Sequence, residues 1–416
     1  MREKINPERR IFVGDFRLEK DEKKAIYEVV EGGRISEWRK VKEFEKAFSR
    51  YIGTKYCVAV SSGTSALIVG LLALLYDKRF PKAKKGAKII TSPVTYIATV
   101  NAIVLSGFEP VFVDIDRRVF KLNIKQIESA VREYGEDNIA GILPVHLMGY
   151  PNDMDEINEI AGKHNLFVFE DSAQAHGTIY KGRKAGSLGL LADFSFYIAH
   201  NIQAGELGCV TTNDEKLYRT IIQLKANGRI CDCSVCTRAK GICPGNSKLG
   251  SDEDDDYDPR FTHEYISLNF KTMEFPAALA VSQVKKADRI FKKRQENVLY
   301  LNKGLKSLEK FFDLPVFDEN VSYLAYPITI KKGADIKRKW LREKLEENGI
   351  ENRPLFGCVP TQQPAYSYLK ELYKDKLPVA DFIGKKSFYI GCHQYLEQED
   401  LDYVVSVFGK VLNTAG

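Results

Sequence analysis

The chain has 416 residues, 44% of them hydrophobic, with 62 basic and 56 acidic side chains giving a net charge of +6. That length buries the core of one large domain and a smaller one, which excludes a disordered or fibrous polymer. The charges are mixed along the chain, so no nucleic-acid partner is expected, and the longest apolar run, 66–76, is far short of the roughly 20 residues that span a bilayer.

Residues 1–10 are charged and polar and lack the apolar stretch of a secretory signal, so a soluble cytoplasmic protein is expected. Its eight cysteines are then reduced thiols or metal ligands rather than structural disulfides. From about 56 to 215, short β-branched or aromatic runs alternate with helical patterns, the signature of a mostly parallel sheet covered by helices. Strands are expected at 56–61, 88–92, 109–114, 141–146, 166–170, 193–197 and 208–212, a seven-stranded α/β sheet. Residues 229–262 break the pattern with a cysteine cluster and the acidic run 251–258, which reads as a solvated loop. A long helix or helix pair follows at 273–308. The remainder mixes strands such as 325–330 with helices such as 335–348, suiting a small α+β domain. The expected division is a large domain at 1–284, carrying the insertion at about 229–262, and a small domain at 285–416.

Three local features point to a bound anion and a polar ring. Strand 56–61 runs through Ser62-Gly63-Thr64 into an apolar helix, and such a turn aims backbone N–H groups and the Thr64 hydroxyl at an anion on the helix N-terminus. Ser and Thr cap ordinary helices equally well. Asp171 ends a buried strand, where functional side chains of parallel sheets gather; there it either hydrogen-bonds a pyridinium nitrogen or caps the next segment. Ser195 adds a phosphate contact or is a small residue in a packed strand.

Taken together, Ser62-Gly63-Thr64, Thr95-Tyr96, the segment from Glu170 to Gly177, Ser195-Phe196-Tyr197 and Asn269-Phe270-Lys271 resemble the nucleotide-sugar aminotransferase family of fold type I pyridoxal-phosphate (PLP) enzymes. The likeness runs from about residue 20 to 412. It implies that Gly63, Thr64 and Ser195 hold the phosphate, Tyr96 stacks on the ring, Asp171 meets the ring nitrogen and Gln174 lies near the ring hydroxyl. It further implies that Asn269 reaches the phosphate of a neighbouring subunit, hence a homodimer with shared active sites.

Where that family carries its Schiff-base lysine, five residues after Ser195, this chain has His200, and no lysine occurs from 185 to 215. An imidazole cannot form an imine with an aldehyde, but it moves a proton near neutral pH. The pyridoxamine form (PMP) fits, because its own amine condenses with a ketone and a histidine then moves the proton needed to expel a β-hydroxyl. The substitution resembles the sugar 3-dehydratases of the family, which act on nucleotide-linked 4-keto-6-deoxyhexoses. Residues 352–356, 361–364, 388–391 and 257–271 are similar to the CDP-4-keto-6-deoxyglucose 3-dehydrase branch, and that likeness places Arg353 and Phe356 against the substrate.

Cys231, Cys233, Cys236 and Cys243 form C-x-C-x2-C-x6-C, dense enough for four thiolates to meet one metal. The CDP-sugar branch carries an iron-sulfur cluster, and the resemblance maps two of its ligands onto Cys231 and Cys233, whereas its first ligand corresponds to Ala173. The four local cysteines then either hold an iron-sulfur cluster by themselves, fed by a flavin or iron-sulfur reductase, or hold zinc as a clip, or form a reactive or incidental cysteine-rich loop. Cys57, Cys209, Cys358 and Cys392 read as core or pocket-lining residues. Two other functions compete with dehydration: a PLP-dependent aminotransferase using a lysine from elsewhere, and a non-catalytic partner subunit.

Overall fold

The computed structural model describes residues 9–233 and 258–413. β-Branched and aromatic runs form β1 (Tyr56–Val60), β2 (Lys88–Thr91), β3 (Glu109–Phe112), β4 (Ile139–Leu143) and β5 (Phe167–Asp171). After the two-residue strands β6 (Ile179–Tyr180) and β7 (Arg183–Lys184) come β8 (Leu191–Ser195) and β9 (Gly208–Thr212). One seven-stranded sheet has the order β1-β9-β8-β5-β4-β2-β3. Only β9 runs against its neighbours; β8, β5, β4, β2 and β3 are mutually parallel. All seven expected strands exist, with shifted ends. β4 starts earlier than expected because Ile139 pairs with Lys88 of β2, and it stops earlier because Pro144 has no N–H to extend a ladder. β8 starts two residues early, since its pairing with β9 runs from Leu191↔Thr212 to Ser195↔Gly208.

Helices α1 (Lys20–Glu31), α2 (Arg39–Ile52), α3 (Gly63–Tyr76), α4 (Ile97–Leu105), α5 (Ile124–Tyr134), α6 (Met154–Lys163), α7 (Glu215–Leu224) and α8 (Glu274–Gly304) surround the sheet. The period-2 alternation of β8 sends side chains to two different cores. Phe194 and Phe196 pack with Phe44 and Phe48 of α2, while Leu191 joins the larger core that holds Leu67 and Leu71 of α3. Each fully buried phenylalanine here contributes roughly 1.5–3 kcal/mol. Helix α3 lies close on the sheet, because a Cβ on Gly70 would come within 2.5 Å of the Phe169 ring.

A second sheet, β10 (Phe312–Asp313), β11 (Tyr326–Ile330), β12 (Asn352–Pro354) and β13 (Ser387–Ile390), has the order β10-β11-β13-β12 and is antiparallel throughout. Position 284/285 lies inside α8, a single helix running from the α1–α2 layer to the last helix, Gln398–Asn413. Ile11 pairs with Ile350 and so straps the N-terminal segment to the smaller sheet. Among the described residues no helix is long and apolar enough to cross a membrane.

Helix α2 has no side-chain cap of its own at Trp38. The buried carboxylate of Glu274 supplies it, accepting from the N–H groups of Trp38 (2.7 Å), Lys40 (2.7 Å) and Val41 (3.0 Å). Glu274→Ala should therefore cost about 3 kcal/mol, since buried donors lose charged acceptors. Urea unfolding measures it, and an unchanged midpoint contradicts the capping role.

Candidate active site

A cavity of about 470 Å³ opens where the C-terminal ends of β5 and β8 meet the N-terminus of α3. Residues Arg353, Phe356 and Tyr389 of the smaller unit close its far side. Ser62 caps α3, its Oγ accepting from Ser65 N–H at 3.1 Å. The first N–H groups of a helix have no intrahelical acceptor, and the helix dipole makes that end attractive to an anion. Glycine is required here by proximity: a Cβ on Gly63 would sit 2.6 Å from Cβ of Ser195, and one on Gly208 would sit 2.2 Å from the Ser62 carbonyl carbon. The result is a cradle formed by Gly63, Thr64 and Ser195.

At the buried end stands Asp171, which accepts from Thr99 Oγ1 at 2.7 Å and from Ala173 N–H at 3.3 Å. Thr99 in turn bonds Thr95 at 2.8 Å. Burial raises the Asp171 carboxyl above the ordinary range, against the lowering effect of the Thr99 hydroxyl. Beside it, Asp193 is fully buried, and neither of its carboxylate oxygens has a hydrogen-bond partner. Gln174 borders the cavity with its Oε1 accepting from Met148 N–H at 2.9 Å.

His200 lies on the loop between β8 and β9, where its N–H bonds Tyr197 O at 2.8 Å. The neighbouring side chains fix that loop: Asn201 Nδ2 donates to the carbonyls of Ser322 and Tyr323, and Gln203 Nε2 donates to Ile198 O. Nδ1 of His200 is buried without a partner. Burial, and then the charge of Arg294, pushes its imidazole down to about 4. Arg294 is itself buried, donating to Leu324 O at 2.8 Å and to Gln394 Oε1 at 3.2 Å. No lysine is among the described residues that line this cavity.

The structure thus brings together Gly63, Thr64, Tyr96, Asp171, Gln174, Ser195, His200, Arg353 and Phe356. The rings of Tyr96 and Phe356 are 5.8 Å apart, and Arg353 pairs with Glu351 at 2.9 Å. Asn269 is not on this cavity; it is exposed and pairs in an isolated antiparallel bridge with Ala226. Cys231 and Cys233 border a separate cavity with the basic Arg34, Lys42, Arg229 and Lys271. Cys236, Cys243 and residues 251–257 of the acidic run lie outside the described residues, among which no group of three or more His, Cys, Asp or Glu is arranged to hold a metal. Sequence reasoning missed Thr99, Asp193, Glu206 and Tyr389, all on the cavity wall. For Asp193 a signal existed, since it stands two residues before Ser195 in a strand and so shares its face.

These residues fit a phosphorylated pyridine coenzyme: a helix N-terminus and hydroxyls at one end, a buried carboxylate at the other, and a cradle that a single Cβ would fill. The sequence profile of the DegT/DnrJ/EryC1/StrS aminotransferase family matches residues 17–408. A GDP-4-keto-6-deoxy-D-mannose 3-dehydratase of Escherichia coli O55:H7 is 30% identical over 392 residues, 93% of this chain and 96% of that one. A GDP-perosamine synthase of Caulobacter vibrioides is 30% identical over 407 residues, 97% of this chain and 98% of that one. The solved E. coli GDP-4-keto-6-deoxy-D-mannose 3-dehydratase with bound hydrated PLP superposes with a TM-score of 0.83 at 28% identity, covering 95% of this chain and 98% of that one.

Gly63→Ala should keep the fold but force Ser195 away from the α3 N-terminus. PMP binding, followed by calorimetry, should weaken by about tenfold or more, the equivalent of an overpacking cost of roughly 1.4 kcal/mol. Unaltered affinity would remove the cradle from this site.

Proposed function

Because this chain is a member of the DegT/DnrJ/EryC1/StrS aminotransferase family, we propose that it removes water from C3 of a nucleotide-linked 4-keto-6-deoxyhexose, using the pyridoxamine form of the coenzyme. The observation that carries this reading is His200 in a cavity whose described lining includes no lysine. When bound, the coenzyme supplies an amine that captures the sugar ketone and a ring that accepts electrons. Gly63, Thr64 and Ser195 hold its phosphate, Tyr96 covers its ring, Asp171 takes the ring nitrogen and Gln174 stands near the ring hydroxyl. Arg353 and Phe356 take the substrate. His200, neutral because burial and Arg294 hold its imidazole low, accepts a proton at C4′ and returns one to the departing hydroxyl.

Similarity to a 3-dehydratase supports this reading, and similarity of the same degree to GDP-perosamine synthase favours amino transfer as the second one. The two differ in what residue 200 does. His200→Asn should retain PMP while dehydration falls by about 10²–10⁴-fold; full dehydration in that variant sinks the proposal. A base of lowered pKa is active above that value, so kcat/KM should hold through neutral pH and fall only toward about 4. A limb near 6.5, the ordinary histidine value, contradicts the environment described for His200.

The cysteine spacing supports a metal centre at Cys231, Cys233, Cys236 and Cys243, which we read as an iron-sulfur cluster passing electrons from a flavin reductase to give a 3,6-dideoxy sugar. Support here is the spacing alone. Anaerobically purified protein should contain iron and sulfide and bleach with dithionite; stoichiometric zinc without iron overturns the reductive route and leaves dehydration followed by hydrolysis. The family resemblance supports a homodimer with shared sites, in which Asn269, exposed in this chain, reaches the partner subunit's coenzyme phosphate.

A further inference from the structure

Asp171 and Asp193 are register partners at the ends of the parallel strands β5 and β8. Their side chains share a face. Leu191, two residues before Asp193, and Phe169, two residues before Asp171, both lie against Gly70 of α3, and alternation carries that face forward along each strand. Two carboxyl groups thus adjoin in a setting that is 5% exposed for Asp171 and 0% for Asp193. Asp171 has the Thr99 hydroxyl and the Ala173 N–H, whereas both oxygens of Asp193, a residue of the cavity lining, are buried and unpartnered. The ionisable groups near Asp193 are Asp171 and Glu170 of β5 and Cys209 of β9. Glu170 is occupied by His146 and by the N–H groups of Gly186, Leu188 and Gly189. Helix α3, which covers the pair, has no charged residue.

Like charges so close in an apolar setting do not both ionise. Asp171 has two donors that favour its charged form and Asp193 has none, so of the two it is Asp193 that takes the proton. We propose that Asp193 is the proton store of the coenzyme site, holding a proton while the cavity lacks a cation and yielding it to the ring nitrogen when the coenzyme arrives. The O–H bond of Asp193 breaks, the ring N–H bond forms, and the new cation lies against two carboxylates. Burial, with Asp171 and then Glu170 adding repulsion, holds the Asp193 carboxyl well above the usual range. This inference rests on the coenzyme reading above, and its test separates the two.

The first arm uses the full chain without coenzyme. A carboxyl raised by folding contributes stability that is fully present below the ordinary aspartate value, about 3.9, and is lost as pH rises through its folded value. Asp193→Asn lacks that loss, so its stability advantage over the parent chain, read from urea unfolding, should grow from acidic to alkaline pH. A pH-independent difference overturns the proton store. The second arm counts protons on PMP binding, by calorimetry in buffers of different ionisation enthalpy, at a pH where the free ring nitrogen is unprotonated. The Asn variant should take up about one proton more from buffer than the parent chain, and equal uptake overturns delivery to the ring. If neither protein binds PMP, the coenzyme reading fails while the first arm still decides the state of Asp193.

Discussion

The contact on which the site depends is the approach of Ser62-Gly63 to the ends of β8 and β9. Backbone meets strand there without room for a methyl group at either Gly63 or Gly208, and that closeness sets how far the N-terminus of α3 stands from the Ser195 hydroxyl. Because β8 also neighbours β5, the same placement fixes the distance between the Gly63–Ser195 contact and Asp171. The smaller unit is tied to this frame through Cys358, bridged to Val94, and through Val359, whose N–H bonds Pro93 O at 2.7 Å. Phe356 and Tyr96 therefore meet across the cavity mouth as a consequence of backbone pairing.

The electrostatics follow from that geometry. One end of the cavity presents helix N–H groups without a nearby acidic side chain on α3, and the other end presents carboxyls in an apolar setting. Such an arrangement suits a molecule that is negative at one end and positive at the other. Between them His200 is kept neutral by the same burial that raises the acids. Arg294 reinforces this from behind, a buried cation that donates to the carbonyls of Tyr323 and Leu324 and to Gln394.

Much of this was legible in the sequence, for identifiable reasons. Strands of a parallel sheet are buried on both faces, so β4 and the first part of β5, Phe167–Phe169, announce themselves as short apolar runs. Of the cavity residues, Asp171 and Ser195 end strands, Gly63 and Thr64 open α3, and His200 follows Ser195 by five positions, so each was legible from motif spacing. The Asp171–Asp193 pairing was not legible, because it depends on β8 lying beside β5, and adjacency of strands is a property of topology rather than spacing. The pinning of the His200 loop by Asn201 was hidden likewise, since its acceptors are carbonyls of Ser322 and Tyr323, over 100 positions away. Helix α8 runs on past position 284 because nothing in its sequence stops it; its interior has proline only at Pro276, in the first turn, where proline is tolerated.

The central claim is that an imidazole stands where an amine would bond to the coenzyme. Its most direct test is the intact mass of the denatured chain after incubation with PLP, removal of unbound coenzyme so that surface imines dissociate, and reduction with borohydride, which fixes any imine that remains. The account predicts the mass of the bare polypeptide, with the coenzyme lost on denaturation. A chain heavier by one reduced coenzyme, mapped by peptide analysis to a lysine bordering this cavity, would contradict it.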